Sequence, residues 1–440
     1  DPPLRFLVSG LTMSLPLPKS EAEIARIQSA RKRIAFERAA KAPFHKKRLA
    51  GIDPAKLDDP AEWRKIPILH KEELRGLSER QFYDEFNTAP RHTIWEYWRS
   101  GGSTGKPLFY PRSFEDAPYC LLSFARGLEC AGVTKGDTAH ISYPLGIHPV
   151  GHMYARVCQA AGVGVNWAGS GAGTPSAVQV QLLRDLKPTV WMGMSSYGIH
   201  LANLAEASGI DLAAAGVRKI VPSAEPLSLA KRQKIERSWG ATVFDTFGMT
   251  ECGLMAGEDE GHDGLRLWTD MFFCEVLDPG TWEPVKDGEI GTLVTTSLFT
   301  NHATPFIRWS SGDLVSMHRG GKHDGPFSIF PLLRHANRTT GFFKVRGVNI
   351  NHSEFEDLMF GEPRLNDFKC EIVTAGDLDT LRVSFEAKRG ADAGALRDAL
   401  GQRIKAVFEV TAEMVILESG TLAREFEGAV KAPRFADRRA

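Results

Sequence analysis

The 440-residue sequence predicts an α/β protein. It comprises a large N-terminal domain with helix-covered mixed or parallel sheets, a β-rich subdomain and a small α+β C-terminal domain. Helical and strand patterns alternate from about residue 117 to 260, strands and turns follow after residue 265, and a second α+β pattern begins near residue 338. We therefore place an N-terminal domain at residues 1–336 and a C-terminal domain at 337–440.

The first elements are predicted by a capping box and by helical spacing. Ser20 with Glu23 is a capping-box pattern, and Ile24 and Ile27 then recur at helical spacing, so a helix is predicted to about residue 40. A second helix is predicted at 71–79. The aromatic-rich alternation of residues 92–99 predicts a strand, and another is predicted at 108–110.

The alternating region and the C-terminal region define the remaining elements. Helices are predicted at 117–131, 151–161, 176–186, 197–208, 228–239, 353–359 and 391–407. Strands are predicted at 138–143, 189–192, 219–221, 242–246, 275–277, 291–296, 342–345, 348–350, 370–373, 381–387 and 414–417. The segment 318–335 is rich in Gly, His and Pro, and we interpret it as a linker or a lid.

Composition excludes several classes of protein. The 54 Lys+Arg balance the 54 Asp+Glu, so the charge footprint of a nucleic-acid binder is absent from the sequence. No apolar run approaches the roughly 18 residues that span a bilayer. The six cysteines form no C-x-x-C pair, which favours a reducing cytoplasm over a disulfide framework. Residues 1–12 lack the features of a signal peptide, and we expect Met13 to be the natural start.

A glycine-rich run lies between the strands predicted at 92–99 and 108–110. Small residues let backbone N–H groups approach a polyphosphate, hydroxyls donate further bonds, and a lysine adds charge. The run is not a P-loop, because Pro107 stands where Ser or Thr would bind magnesium. A phosphate-holding hairpin loop and an ordinary mobile loop are both compatible with the pattern. The residues concerned are Ser100, Gly101, Gly102, Ser103, Thr104, Gly105 and Lys106.

Two further motifs carry oxygen ligands and an aromatic ring. At the end of a predicted strand, Phe247 can stack on a purine, Thr250 can contact phosphate, and Glu251 is a hard oxygen ligand for Mg²⁺. Asp313 follows a glycine turn, where a carboxylate can accept two ribose hydroxyls. Each residue also has a purely structural alternative. Glu251 could be an exposed residue of a turn, Asp313 a solvated turn residue, and Lys431 a solvated charge.

Taken in order, these motifs resemble the adenylate-forming superfamily of acyl-CoA synthetases, adenylation domains and luciferases, and within it the phenylacetate-CoA ligase family. The resemblance covers nearly the whole chain. It includes residues 100–107, Ser223-Ala224-Glu225-Pro226, the acidic motif 245–251, Arg308 with Gly312-Asp313, and 344–349. It implies that a carboxylate attacks the α-phosphate of ATP to give acyl-AMP and pyrophosphate, and that a thiol, usually that of CoA, then attacks the anhydride.

The resemblance also implies roles for individual residues. Lys431, Glu251 and Lys106 would be catalytic, with Glu251 holding Mg²⁺ and Lys431 bridging the carboxylate and the α-phosphate. The small domain, mobile in other members, would then rotate and bring Lys344, Arg346 and Gly347 toward CoA. The residues implied to bind ATP are 100–105, Ala224, Glu225, Pro226, Asp245, Thr246, Phe247, Gly248, Thr250, Asp313 and Arg338.

The acid pocket is expected to carry two histidines where aryl-acid relatives are expected to be mostly apolar. His148 and His152 could hydrogen-bond a polar substituent, which predicts a polar-substituted aromatic acid; the alternative is that both satisfy nearby backbone groups. The expected lining is Tyr143, His148, His152, Trp167, Gly193, Met194, Ser196, Tyr197 and Ser223.

Three functions are compatible with these motifs. The first is an aryl-CoA ligase acting on a small carboxylic acid, ATP and CoA, with no nucleic-acid or membrane partner and with the homodimer that the family often forms. The second is an adenylate-forming ligase that passes the acyl group to an amine or carrier protein. The third is a degenerate protein that only binds nucleotide or acyl-adenylate. Two departures from the family pattern favour it: Ser310 stands where the family has an arginine, and the acid of the hinge is missing near Gly341. Residues 257–266 contain no cysteine, and we expect no structural zinc there.

Overall fold

A computed structural model describes residues 6–8, 11–13, 15–99, 108–336, 342–345, 348–375, 378–427 and 433–439. The chain divides into two compact units. Unit 1 comprises residues 1–136, 145–164 and 244–336, and unit 2 comprises 137–144, 165–243 and 337–440. The predicted boundary at 336/337 coincides with a boundary between the units, and residues 337–440 group with two earlier segments. That residues 337–440 move as a separate domain remains a prediction.

Thirteen α-helices occur in the described residues. In chain order they are α1 (Glu21–Lys41), α2 (Pro43–Lys46), α3 (Pro60–Arg64), α4 (Lys71–Arg75), α5 (Glu79–Gln81), α6 (Ala117–Cys130), α7 (Pro149–Ala160), α8 (Ser176–Leu186), α9 (Ser195–Ala207), α10 (Leu229–Trp239), α11 (His352–Phe360), α12 (Ala393–Phe408) and α13 (Thr421–Phe426). A π-helix covers Phe82–Phe86, and 3₁₀ turns cover Pro54–Lys56, Arg91–Thr93 and Leu212–Ala215. No helix in the described part of the chain has the length and apolarity to cross a membrane.

The β-strands of the same residues form several separate sheets. In chain order they are β1 (Phe6–Val8), β2 (Leu11–Met13), β3 (Ile94–Arg99), β4 (Phe109–Ser113), β5 (Thr138–Ile141), β6 (Gly164–Trp167), β7 (Val190–Gly193), β8 (Lys219–Pro222), β9 (Thr242–Val243), β10 (Thr246–Met249), β11 (Gly253–Glu258), β12 (Leu265–Leu267), β13 (Phe272–Leu277), β14 (Ile290–Ser297), β15 (Trp309–His318), β16 (Leu332–His335), β17 (Phe342–Val345), β18 (Val348–Asn351), β19 (Leu365–Ala375), β20 (Leu378–Ala387), β21 (Ala412–Leu417) and β22 (Phe435–Asp437).

Unit 1 is built on an antiparallel seven-stranded sheet with the order β10-β11-β12-β16-β15-β14-β13. Helix α6 packs on β11 so closely that a Cβ at Gly127 would lie 2.7 Å from the Leu254 side chain. β3 pairs with β4 in a separate antiparallel hairpin, whose connecting residues 100–107 lie outside the described residues. The seven-stranded sheet is the β-rich subdomain that the sequence predicts.

Unit 2 contains a five-stranded sheet with the order β6-β5-β7-β8-β9, in which β5, β7, β8 and β9 run parallel. Every residue of β7 is buried, as expected where helices cover both faces of a parallel sheet. Its C-terminal part adds the sheet β21-β20-β19-β22 and the hairpin β17-β18. Phe355, Phe368 and Leu400 are fully buried there and join α11 and α12 to that sheet. The predicted α/β class is confirmed.

Helix α1 begins as the sequence predicts, with one difference in its cap. The Ser20 hydroxyl accepts the Glu23 N–H at 3.2 Å, but the Glu23 carboxylate accepts the N–H of Lys19 at 2.9 Å instead of that of Ser20. The helix predicted at 71–79 is wrong in extent. It breaks at Gly76, and Ser78 begins α5 by accepting the Gln81 N–H at 3.2 Å.

The strand predicted at 242–246 is wrong, because it divides between two sheets. Asp245 diverts the backbone: its N–H donates to Glu258 Oε2 at 3.0 Å, and its Oδ1 accepts the Thr246 N–H at 2.8 Å. β9 therefore ends in the parallel sheet and β10 starts in the antiparallel one. The interpretation of 318–335 as a linker is also wrong at its end, since buried Leu332 and Leu333 belong to β16 inside the seven-stranded sheet.

The burial of Lys234 in α10 leads us to expect a specific pH dependence of the free energy of unfolding. Its ammonium is fully buried, and it donates to the carbonyl oxygens of Leu365 at 3.1 Å and of Asn366. Burial lowers the pKa of Lys234 from 10.5 to about 7. Between these values the unfolded chain holds a proton that the folded chain lacks, so the free energy of unfolding should rise with pH by up to about 1.4 kcal/mol per unit.

The measurement is urea unfolding at several values between pH 7 and 10 for the wild type and for Lys234→Met. The wild type should show the steeper increase in stability with pH, because the methionine cannot titrate. Identical slopes for the two proteins would contradict this account of Lys234.

Candidate active site

Several of the predicted site residues lie outside the described residues. These are Ser100, Gly101, Gly102, Ser103, Thr104, Gly105, Lys106, Arg338, Arg346, Gly347 and Lys431. Their predicted roles stay predictions.

The acidic motif forms one hairpin of unit 1. β10 pairs with β11 with a register shift between Phe247 and Gly248. A Cβ at Gly248 would lie 2.5 Å from the Gly253 carbonyl oxygen, so this close approach of two backbones requires glycine. Thr250 and Glu251 occupy the turn, and Glu251 is only 5% exposed. The hairpin thus holds a buried carboxylate two residues after β10 ends.

Two side chains of β4 fix the position of Glu251. The guanidinium of the fully buried Arg112 donates to the carbonyl oxygens of Thr250 at 2.7 Å and Glu251 at 2.6 Å. The Tyr110 hydroxyl donates to Glu251 Oε1 at 3.1 Å, and burial together with the charge of Glu251 raises the pKa of Tyr110. Lys71 Nζ lies 3.7 Å from the same Oε1. This turn is held at both its backbone and its carboxylate.

His335 contacts Phe247 and pairs with the strand that carries Asp313. The Phe247 ring is buried and contacts the His335 ring edge to face, with centroids 4.8 Å apart. His335 pairs with Val315 of β15, two residues after Asp313. Asp313 is 5% exposed, and its N–H donates to Ser311 Oγ at 3.0 Å after the left-handed Gly312. One ring contact and the pairing of β16 with β15 thus link the aromatic ring to the strand of the carboxylate, the two groups predicted to bind adenosine.

Asp245 and Thr246 make hydrogen bonds that support this hairpin. Asp245 binds backbone at the point where β9 and β10 separate, and Thr246 Oγ1 accepts the hydroxyl of the fully buried Tyr154 at 3.3 Å. Burial raises the pKa of Tyr154, which therefore stays a neutral donor. These contacts fix Thr246, the residue that precedes Phe247 in β10.

In unit 2, the predicted acid-pocket residues follow the carboxyl ends of three neighbouring parallel strands. Ligands of open α/β sheets bind at this edge. The Tyr143 hydroxyl donates to the Val221 carbonyl oxygen at 3.0 Å, which ties the end of β5 to β8. The residues gathered at this edge are Tyr143, Gly193, Met194, Ser196, Tyr197 and Ser223.

Glu225 is bound by the N-terminus of α9. Its Oε2 accepts the Ser196 N–H at 2.8 Å and the Ser195 hydroxyl at 3.0 Å, and its Oε1 accepts the Ser196 hydroxyl at 2.7 Å. A carboxylate is favoured at this positive end of a helix. Ala224 has a φ of 69°, a strained value that these contacts to Glu225 compensate. Ala224 and Pro226 are exposed beside this anchor.

The two histidines of the predicted pocket belong to unit 1 and differ in their contacts. Nε2 of His152 lies 2.8 Å from the backbone nitrogen and 3.0 Å from the carbonyl oxygen of Gly146. His148 is half-buried, and burial and the charge of Arg99 lower its pKa. His152 therefore contacts backbone, as the structural alternative supposes.

Three side chains that contact the Glu251 turn carry no signal that sequence reasoning could use. Tyr110 lies in a predicted strand, but nothing in the pattern connects it to Glu251. Arg112 and Lys71 belong to no motif at all, since their contacts join segments far apart in sequence. Arg308, part of the quoted motif, is structural: it is buried and binds Glu275 through Nε at 3.0 Å.

No cluster of three or more metal-binding side chains occurs in the described part of the chain. In the stretch 257–266, Asp259 binds Arg266 at 2.7 Å. Magnesium usually takes one or two protein carboxylates and completes its shell with phosphates and water. The buried, hydrogen-bonded Glu251 suits that kind of binding.

The hairpin of unit 1 carries an aromatic ring and a buried carboxylate, groups that can stack on a base and bind a divalent cation. Residues 100–299 match a family model described as "AMP-binding enzyme". A phenylacetate-coenzyme A ligase of Aromatoleum evansii is 29% identical over 403 residues, covering 88% of each chain. One of Escherichia coli (strain K12) is 28% identical over 389 residues, covering 85% of this chain and 86% of the relative.

A solved structure shows the same fold. The 2-hydroxyisobutyryl-CoA ligase in its postadenylation state with 2-HIB-AMP has a TM-score of 0.81 and 25% identity, covering 95% of this chain and 90% of that one. Over 85–88% of its length the chain is thus similar to phenylacetate-coenzyme A ligases.

Proposed function

We propose that this chain is an AMP-forming acid–thiol ligase that activates an aromatic carboxylic acid with ATP, releases pyrophosphate and transfers the acyl group to CoA. The observation that carries the proposal is the hairpin at Glu251, which lies inside the segment that matches the AMP-binding family. It presents a buried carboxylate and the Phe247 ring within five residues.

In the first half-reaction, a carboxylate oxygen of the acid attacks the α-phosphorus, and the bond to the pyrophosphate oxygen breaks. Negative charge builds on the phosphoryl oxygens, and preorganised cations and N–H donors lower this barrier most. Lys431 bridges the two reactants, while Lys106 and the 100–105 backbone hold the outer phosphates. Phe247 stacks on adenine and Asp313 binds ribose, and the family resemblance assigns Ala224, Glu225 and Pro226 to adenine as well.

Glu251 would hold Mg²⁺, and Thr250 would contact phosphate. A bound magnesium ion supplies charge neutralisation on the triphosphate. Arg112 and Tyr110 keep the Glu251 backbone and carboxylate in place, so the carboxylate needs no reorganisation when ATP enters.

In the second half-reaction, the CoA thiolate attacks the acyl carbon and the carbon–oxygen bond to AMP breaks. Lys344 is exposed on β17, where it can reach a solvent-borne thiol substrate. We place it with Arg346 and Gly347 in this step, after rotation of residues 337–440.

The six cysteines are free thiols, which suits a reducing cytoplasm. A homodimer remains a prediction from the family resemblance.

The acid is proposed to carry a polar substituent that His148 recognises. His148→Phe should lower the ratio of kcat/KM for a polar-substituted over an unsubstituted aromatic acid by about 3- to 10-fold, the value of one neutral hydrogen bond. His152→Phe is the matched control, because its ring contacts the Gly146 backbone and should affect both acids alike. An unchanged ratio in His148→Phe would contradict the assignment.

The test of the function is pyrophosphate release with a panel of aromatic acids, each with and without CoA. Release that depends on one acid, and turnover that depends on CoA, are expected. A single burst of about one pyrophosphate per active site that CoA does not extend would favour an amine or carrier protein as acceptor. A protein that binds ATP yet releases no pyrophosphate with any acid would overturn the proposal.

A further inference from the structure

The carboxylate of Glu427 joins two helices of unit 2. Its Oε1 accepts the first N–H of α8, from Ser176, at 2.6 Å, and its Oε2 lies 3.1 Å from Nε2 of His200 in α9. A carboxylate gains from the positive N-terminus of a helix. Glu427 directly follows α13, so these bonds hold the end of that helix.

The group that receives Glu427 is itself ordered by hydrogen bonds. Ser176 Oγ lies 2.9 Å from the Tyr197 hydroxyl and 3.1 Å from His200 Nε2, and the Tyr197 and His200 rings stack. His200 Nδ1 is buried with no partner among the described residues, which leaves Nε2 as the proton-bearing nitrogen. A Cβ at Gly171 would lie 2.7 Å from the Glu427 carbonyl oxygen, so the backbone is seated closely as well.

Burial alone would raise the pKa of Glu427. The bonds from Ser176 and His200 outweigh it and lower that pKa below its usual range. The carboxylate is therefore ionised at neutral pH, as the contact with the helix N-terminus requires.

A second anchor lies one turn further along α9. Asn203 donates to Asp367 Oδ2 at 2.8 Å, and Asp367 forms a two-point ion pair with Arg434, at 2.9 and 3.1 Å. Asp367 and Arg434 are buried, where such a charge-assisted pair is geometrically specific. His200 and Asn203 share one face of α9, because three residues separate them.

These anchors bracket Lys431 in sequence, four residues after Glu427 and three before Arg434. Helix α9 also begins at the predicted acid pocket, with Ser196 and Tyr197 in its first turn. We propose that Glu427 is a positioning residue for the first half-reaction, because it anchors the chain on α8 and α9 four residues before Lys431. This inference rests on the proposed function, because it takes Lys431 to act on the acid and ATP.

The test separates the two half-reactions in the full-length protein. Glu427→Ala should lower acid-dependent pyrophosphate release by about 10- to 100-fold, since a displacement of about 1 Å costs this much. Thioester formation from supplied acyl-AMP and CoA should stay within about twofold, because that step does not use Lys431. Glu427→Gln should restore part of the lost rate, as it keeps an acceptor for the Ser176 N–H.

Glu425→Ala is the matched control, since Glu425 lies on the same helix but pairs with Lys369 of β19 and forms no hydrogen bond with α8 or α9 in the described part of the chain. It should leave both half-reactions unchanged. Equal losses in both half-reactions for Glu427→Ala, or no loss in the first, would overturn the proposal.

Hydrogen exchange supplies a readout besides activity. In Glu427→Ala, and not in Glu425→Ala, peptides covering residues 174–180 and 421–427 should exchange faster. Unchanged exchange would show that Glu427 does not hold this segment, whatever the rates. A wild type without pyrophosphate release would instead refute the proposed function, and exchange would still decide whether Glu427 anchors the chain.

Discussion

Lys431→Gln is expected to lower acid-dependent pyrophosphate release by at least about 100-fold, the usual cost of losing one group that stabilises transition-state charge. Glutamine is polar but uncharged and one bond shorter than lysine, so it cannot neutralise the phosphoryl oxygens as the acid attacks. Thioester formation from supplied acyl-AMP should change little, because the phosphoryl transfer is then complete.

The measurement is single-turnover pyrophosphate release at saturating ATP and acid. Lys405→Gln is the control, since Lys405 is exposed near the end of α12 and should leave the rate unchanged. Lys344→Gln should spare pyrophosphate release and slow only the CoA step. A Lys431→Gln enzyme with a normal first half-reaction would remove Lys431 from the proposed mechanism.

Glu251→Gln is expected to lower kcat/KM for ATP by about 100-fold and to raise the Mg²⁺ concentration needed for half-maximal rate. Glutamine is nearly isosteric and still accepts the Tyr110 hydroxyl, so the turn should stay folded. The loss would therefore report the carboxylate charge rather than the packing.

Tyr110→Phe is the comparison that isolates position from charge. It removes the 3.1 Å hydrogen bond to Glu251 but keeps the carboxylate, so a smaller loss of about 10-fold is expected. If Glu251→Gln retained the wild-type rate and magnesium dependence, Glu251 would not be the metal ligand.

The order of elements and the edge of the parallel sheet could be predicted from the sequence. Strand ends are visible in the hydrophobic pattern, and parallel strands bring their carboxyl ends to one edge, so Tyr143, Gly193 and Ser223 were expected to gather. The predicted bounds of α8 match the structure because its hydrophobic spacing is regular.

The remaining features depend on contacts between distant residues. Arg112 reaches the Glu251 turn across 139 positions of sequence, and no local pattern announces such a bond. Glu225 was predicted to border adenine, yet its carboxylate also caps α9. The split between β9 and β10 depends on Glu258 binding the Asp245 N–H, which competes with strand pairing.

The central claim is that the acid becomes a mixed anhydride with AMP before it meets a thiol. The most direct measurement uses an acid with oxygen-18 in its carboxylate, turned over with ATP and CoA, and mass spectrometry of the products. One oxygen-18 atom is expected in AMP and none in pyrophosphate, because the carboxylate oxygen that attacks the α-phosphorus leaves with AMP. Unlabelled AMP, or label found in inorganic phosphate beside ADP, would contradict it.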